Sequence, residues 1–163
     1  MKPARNPTAA KFQETLRGLG INSEVVEFEQ TTRTAQDAAR AIGCQLGQIV
    51  KSLVFRTHSG HALVVLASGS NRVDEGLIRA AIGEKLGKAD ADFVRAQTGY
   101  AIGGVPPFGH QHPLPVYVDE DFFQYETIWA AAGTPNAVFP LTPHELVRAS
   151  GGTVCKVSPG EDQ

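Results

Sequence analysis

Cysteine is scarce. The 163 residues hold two, Cys44 and Cys155, far apart and in neither a C-x-x-C nor a zinc-type spacing. That excludes a disulfide framework and a structural zinc, and both read as buried free thiols. Long apolar runs are missing too: none approaches the roughly 20 residues that a membrane span needs. No apolar stretch follows Lys2 and Arg5, so no secretory signal is expected and the expected compartment is cytoplasmic. Neither sign of charge dominates, with 15 Lys and Arg against 17 Asp and Glu for a net charge of −2. This argues against a protein that coats nucleic acid by general electrostatics. The charges are unevenly spread, however. Nine Lys and Arg stand against six Asp and Glu between Arg33 and Arg95, and two against seven from His110 onward. The middle of the chain could present a modest basic face, or simply carry scattered solvated charges.

Familiar catalytic signatures are absent as well. There is no G-x-S-x-G elbow, phosphate-binding Walker loop or zincin motif, and G-Y-A-I-G-G-V does not fit the dinucleotide pattern G-x-G-x-x-G. His110 and His112 form an H-x-H pair, but a metal site needs a third ligand. Asp119, Glu120 and Asp121 stand at no defined spacing from it, so neither metal nor cofactor is expected. With no repeat, low-complexity segment or linker, residues 1–163 read as one domain with a frayed tail at 158–163.

What the chain does have is a dense glycine segment at residues 99–110, G-Y-A-I-G-G-V-P-P-F-G-H. Proline removes donors and fixes φ, while glycine reaches conformations other residues resist, so this cannot be a helix. Nor does it read as a solvated linker, because Tyr100, Ile102, Val105 and Phe108 favour burial. A rigid, glycine-lined loop lets a ligand approach bare backbone N–H groups, which makes it the leading candidate for a binding or catalytic wall.

Around it the pattern alternates helices and strands without strict order. Apolar spacing predicts a helix over 8–19, a strand over 25–28, and a second helix opened by Thr34 with a small-residue face of Ala35, Ala38, Ala39 and Ile42. Residues 49–56 and 61–68 read as the strands of an antiparallel hairpin, the second apolar enough to be covered on both faces. Helices are expected over 73–82 and 91–96, separated by Gly83 and Gly87. Strands follow at 114–118, 127–132, 137–141 and 154–157. Thr142-Pro143-x-Glu145 is a strong helix start. The expected class is α+β, with a mixed sheet curled into a barrel-like core and helices around it.

Lys51 stands out within this frame, because it interrupts an apolar strand between Val50 and Leu53. Such a lysine ordinarily snorkels to solvent; where its face is a cleft, it is a fixed cation able to hold a phosphate, a carboxylate or an ester oxygen. A second glycine turn, Gly133-Thr134-Pro135-Asn136, follows an apolar strand and reads either as a plain hairpin turn or as a second wall. Two glycine turns and an in-strand lysine without an obvious nucleophile suit a site built from backbone donors, which can polarise a carbonyl and position water without covalent catalysis.

Four segments in order complete the pattern: T-A-Q-D-A-A from Thr34, I-V-K-S-L-V-F from Ile49, the glycine segment from Gly99, and A-A-G-T-P-N-A-V-F-P-L-T-P-H-E-L from Ala131. Together they resemble the YbaK/ProRS-associated editing domains, a family of trans-editing aminoacyl-tRNA deacylases. The resemblance spans roughly residues 20–157. It implies hydrolysis of the ester that joins a wrong small amino acid (alanine, serine, threonine, cysteine or similar) to tRNA, with the aminoacylated tRNA 3′ end and an aminoacyl-tRNA synthetase as partners. It also implies that Lys51, Gly103, Gly104 and His110 are the catalytic group. The substrate-binding set would be Thr34, Ser52, Pro107, Phe108, Gly109, Gly133, Thr134 and Asn136. Where some members carry a histidine or acidic residue beside the second turn, this chain has Thr134, Pro135 and Asn136. Alternatives consistent with the residues are a non-catalytic tRNA- or nucleotide-binding module, a metal-dependent hydrolase using His110 and His112, and a small-molecule esterase.

Overall fold

The computed structural model describes residues 1–29, 32 and 34–159. Strand β1 (Lys2–Pro3) leads into helix α1 (Pro7–Gly18), β2 (Val26–Glu27) and α2 (Ala35–Ile42). The central hairpin is β3 (Val50–Thr57) and β4 (Ala62–Ser68), followed by α3 (Glu75–Ile82), β5 (Leu86–Lys88) and α4 (Ala91–Thr98). Beyond the glycine segment come β6 (Val116–Asp119), β7 (Ile128–Ala131), β8 (Ala137–Leu141), α5 (Pro143–Ser150) and β9 (Thr153–Cys155).

Local chemistry sets the helix starts. Asn6 accepts from the Thr8 amide ahead of Pro7, and Thr34 accepts from the Asp37 amide. Thr142 and Glu145 close a reciprocal capping box, as their spacing predicts. The predicted antiparallel hairpin forms, in register from Val50 opposite Ser68 to Arg56 opposite Ala62. All seven residues of β4 are buried, so it is indeed covered on both faces. Leu86–Lys88 escapes the sequence reading. Gly87 looks like a breaker there, yet it pairs with Arg56 on the edge of β3, where a residue without a side chain lets the strands lie close. The frayed tail expected at 158–163 falls partly outside the described residues, which end at Pro159.

The strands form two sheets, β1-β2-β8-β7 and β5-β3-β4-β6-β9, in a mixed α+β domain. The barrel-like closure expected from the sequence does not occur. Closure needs an unbroken ladder of strands. Here one isolated bridge, Ile49 to Trp129, is the backbone pairing between the sheets among the described residues, and the two-residue β1 and three-residue β9 end their sheets without a further partner there.

Phe12 and Leu16 of α1, Val64 and Leu66 of β4, Val118 of β6 and Phe139 of β8 fill the main core. A smaller cluster on the opposite face of the five-stranded sheet holds Leu63, Val65, Ala67 and Ile78. The small face of α2 packs against Ile49 and Trp129, close to the junction of the sheets. Both cysteines are free and half-buried, and burial pushes both thiols up. No helix of the described residues is long and apolar enough to cross a membrane.

Phe12 is fully buried and its ring meets Phe108 and Phe139 at centroid distances of 5.7 and 5.3 Å. Phe12→Ala is expected to lower unfolding stability by about 3–5 kcal/mol, read from the urea midpoint at unchanged m-value.

Candidate functional site

β3 is paired with β4 along its length but has a divided outer edge. β5 covers that edge only from Phe55 to Thr57, and Trp129 of β7 bridges to Ile49. Between them the edge opens into a cleft of about 410 Å³. The start of α2 contributes Thr34, Ala35 and Ala38, and β3 contributes Lys51, Ser52 and Leu53. Ile102, Gly103 and Val105 of the glycine segment form a second side, and Trp129, Pro135 and Val138 a third. Neighbouring strand residues face opposite ways, so Lys51 and Ser52 can share this space only because it wraps the strand's edge.

The Lys51 ammonium donates to the Asn71 carbonyl at 2.5 Å. The Asn71 amide in turn donates to Asp119 and Asp121 at 2.9 and 2.7 Å. Asp119, 1% exposed, also accepts from the Ser68 and Asp121 amides. Burial of the amine pulls the Lys51 pKa down, and the Asp119 charge opposes that shift. One of the three Lys51 donors is engaged in this contact. Beside it, the Ser52 hydroxyl is buried and has no hydrogen-bond partner among the described residues. A buried polar atom left unpaired costs about 1–3 kcal/mol, so such an atom on a cleft wall is poised for a ligand.

The glycine segment is a turn stapled to the core. The Ala101 carbonyl accepts from the Gly104 amide at 3.0 Å, so the Gly103 N–H, and not that of Gly104, is among the loop donors without an intramolecular partner among the described residues. Gly104 lies against the second turn. A Cβ there would stand 2.7 Å from the Gly133 carbonyl oxygen and 2.8 Å from the Thr134 Cα. Gly133 is equally constrained, with φ +102° and Thr8 and Tyr100 side chains at its missing Cβ.

Phe108 anchors the loop in the Phe12–Phe139 aromatic cluster, Pro107 is buried, and Gly109 rests on Thr15 and Phe12. The His110 Nε2 donates to the Pro106 carbonyl at 2.7 Å, which fixes its tautomer, since that carbonyl can only accept. Burial pulls the His110 pKa down, against the opposing effect of the Pro106 hydrogen bond. Thr134 donates to the Asn136 side chain, and the Asn136 amide reaches the Phe28 carbonyl.

Of the residues the sequence singles out, the fold therefore gathers Thr34, Lys51, Ser52 and Gly103 along the cleft. It sets Gly104 and Gly133 against each other beneath it. Pro107, Phe108, Gly109, His110, Thr134 and Asn136 stand behind as supports and do not line it. Ile102, expected to be buried, is 57% exposed at the rim. Sequence reasoning missed Trp129 and Val138, and placed Pro135 in the second turn without assigning it to the site. Trp129 is the chain's sole tryptophan, one strand ahead of a glycine turn, and that was the available signal. Among the described residues no three His, Cys, Asp or Glu side chains gather to hold a metal ion.

Comparison with known proteins agrees with this architecture. The model of the aminoacyl-tRNA editing domain matches residues 29–149. The chain is 37% identical over 124 residues to the uncharacterized protein YwhH of Bacillus subtilis, a match that spans 76% of this chain and 79% of the relative. It is 26% identical over 129 residues to an Enterococcus faecalis protein named "Putative Cys-tRNA(Pro)/Cys-tRNA(Cys) deacylase EbsC", covering 78% and 79%. A solved structure described as "a putative trans-editing enzyme for prolyl tRNA synthetase" superposes with a TM-score of 0.91 at 46% identity, over 96% of this chain and 100% of the other.

The glycine contact offers a direct check. Gly104→Ala forces a methyl group against backbone and is expected to destabilise by about 1–3 kcal/mol. Gly18→Ala, in a helix with nothing within 4 Å of its missing Cβ, is expected to be neutral or stabilising. Thermal unfolding of the two variants beside the wild type tests the contrast.

Proposed function

The chain belongs to the aminoacyl-tRNA editing-domain family, and we propose that it is a trans-editing deacylase that hydrolyses the ester of a mischarged small amino acid on tRNA. The observation that carries the reading is convergence. Lys51, the unpartnered Ser52 hydroxyl and the Gly103 amide, distant in sequence, border one cleft. This is a cation, a hydroxyl and a backbone donor around a space that no His, Cys, Asp or Glu side chain of the described residues lines to activate a nucleophile, as suits an ester that is already activated.

In this reading Lys51 holds the terminal adenosine or its phosphate, with the amine kept in place by the Asn71 carbonyl. Water adds to the ester carbonyl, and the Gly103 N–H stabilises the oxyanion that forms. The tetrahedral intermediate then collapses, the C–O bond to the ribose breaks, and the ribose oxygen leaves as a hydroxyl. A neighbouring ribose hydroxyl of the substrate takes the proton of the attacking water as it passes its own to the departing ribose oxygen. Thr34 and Ser52 contact the substrate directly. Pro107, Phe108, Gly109 and His110 hold the loop from behind, and Gly133, Thr134 and Asn136 hold the second turn. His110, on this geometry, supports the catalytic loop rather than touching substrate.

Discrimination among small amino acids rests on cleft size and polarity, and one methylene is worth only about 1–3 kcal/mol. Alanine, serine, threonine and cysteine are the candidates. The partners are the aminoacylated tRNA end and a synthetase that hands it over.

The reading is tested on tRNAs charged with alanine, serine, threonine, cysteine and proline. Wild type is expected to release one or two of the small residues, and Lys51→Ala to slow release about 100-fold, the scale of losing one transition-state contact. Binding of tRNA without release of any amino acid would instead identify a binding module. Ser52→Ala separates site from scaffold. Removing an unpaired hydroxyl is expected to leave stability unchanged or raise it by about 1 kcal/mol, while deacylation falls.

A further inference from the structure

The open stretch of the β3 edge presents backbone as well as side chains. In an antiparallel pair, residues direct both their N–H and C=O alternately toward the partner and away from it. The Gly69 amide donates to the Ile49 carbonyl, and the Thr57 amide donates to the His61 carbonyl. Both contacts lie in the β3–β4 register, so the odd-numbered residues of β3 turn their polar backbone toward β4. The even-numbered residues turn theirs to the outer edge. There Arg56 is met by Gly87 of β5 and the ladder runs on to Phe55 opposite Lys88, which leaves Ser52 as the outward-facing residue with no strand opposite it among the described residues. Interior strand edges are normally paired, because unpaired backbone groups away from water are costly.

Two further observations fall on the same spot. The buried, unpartnered hydroxyl belongs to Ser52 itself. A second cavity, about 280 Å³, meets the first at this gap, and the two share Ser52, Leu53, Ile102, Gly103 and Val105. The gap is thus a short length of strand edge where two cavities adjoin. One outward-facing residue is too few for an added strand, and Ile102 and Gly103 border the approach. The space suits a small ligand group that donates hydrogen bonds to a carbonyl and a hydroxyl.

We propose that this open edge recognises the free α-amino group of the aminoacyl ester, with the Ser52 carbonyl oxygen and Ser52 Oγ as its two acceptors. The inference rests on the deacylase reading and deepens it. An amino or ammonium group brings several donors and no bulk, and matches a carbonyl and a hydroxyl side by side. An N-acylated amino group has one donor left for the two acceptors and brings a planar substituent against Ile102 and Gly103. The site therefore separates free aminoacyl esters from N-blocked or peptidyl esters, a selection that acts on the amino group and is independent of the amino acid side chain.

The test uses the full-length ¹⁵N-labelled chain and a non-hydrolysable probe, 3′-deoxy-3′-(L-alanylamino)adenosine, beside its N-acetyl derivative. The free-amine probe is expected to shift the Ser52 amide resonance, and the N-acetyl probe to bind at least tenfold more weakly. In parallel, alanyl-tRNA is expected to be hydrolysed at least tenfold faster than N-acetylalanyl-tRNA, with the same preference for whichever amino acid the charged-tRNA series identifies. Equal binding of the two probes overturns the proposal, as does binding that moves other amides but leaves that of Ser52 still. Either result leaves deacylation by the wild type intact. Loss of hydrolysis on every charged tRNA would strike the underlying reading instead.

Discussion

Everything about the cleft depends on one strand serving two sheets. β3 pairs with β4 throughout, takes β5 on its far half and touches β7 through the single Ile49–Trp129 bridge. Had β7 continued along β3, the sheets would have merged and the cleft would have been filled by a ladder. Because it does not, a length of strand interior lies open beneath the glycine segment. The reactive-looking residues of β3 reach this space from both faces of the strand. The core supports the arrangement on both sides, with the Phe12 cluster under one face of β4 and Ile78 under the other.

The loops that roof the cleft are held by close backbone contact and by buried side chains, not by ion pairs. Gly104 meets Gly133 and Thr134 at distances no other residue permits. Phe108 and the His110–Pro106 hydrogen bond fasten the segment from behind. Such fastening suits a site that works through backbone donors, since a donor is useful only where its position is fixed before substrate arrives. On the other wall the buried Asp119 organises the Ser68–Asn71 turn, and through Asn71 it sets where the Lys51 amine lies.

Much of the fold could be read in advance, because its signals are local. Thr142 and Glu145, three residues apart, announce α5, and the alternation around Thr57–Gly60 announces the hairpin. Two features could not be read this way. Leu86–Lys88 is a strand only because β3 offers it an edge, and its own residues carry no strand pattern. Barrel closure fails because of strand lengths and the one bridge between sheets, and neither leaves a periodicity in the sequence.

The site divides along the same line. The sequence alone determined which residues were unusual: Lys51 in an apolar strand, and two glycine turns rich in proline. These stand out because they violate local rules of burial and backbone freedom. Tertiary structure alone decided which of them share a space. It placed Lys51, Ser52, Thr34 and Gly103 along the cleft and turned Phe108 and His110 into its foundations. It also brought in Trp129 and Pro135, and left the Ser52 hydroxyl and its strand edge without partners among the described residues. The reason is physical. Burial, pairing and open edges are properties of contacts between segments far apart in the chain, whereas propensity, capping and turn chemistry are written within a few residues.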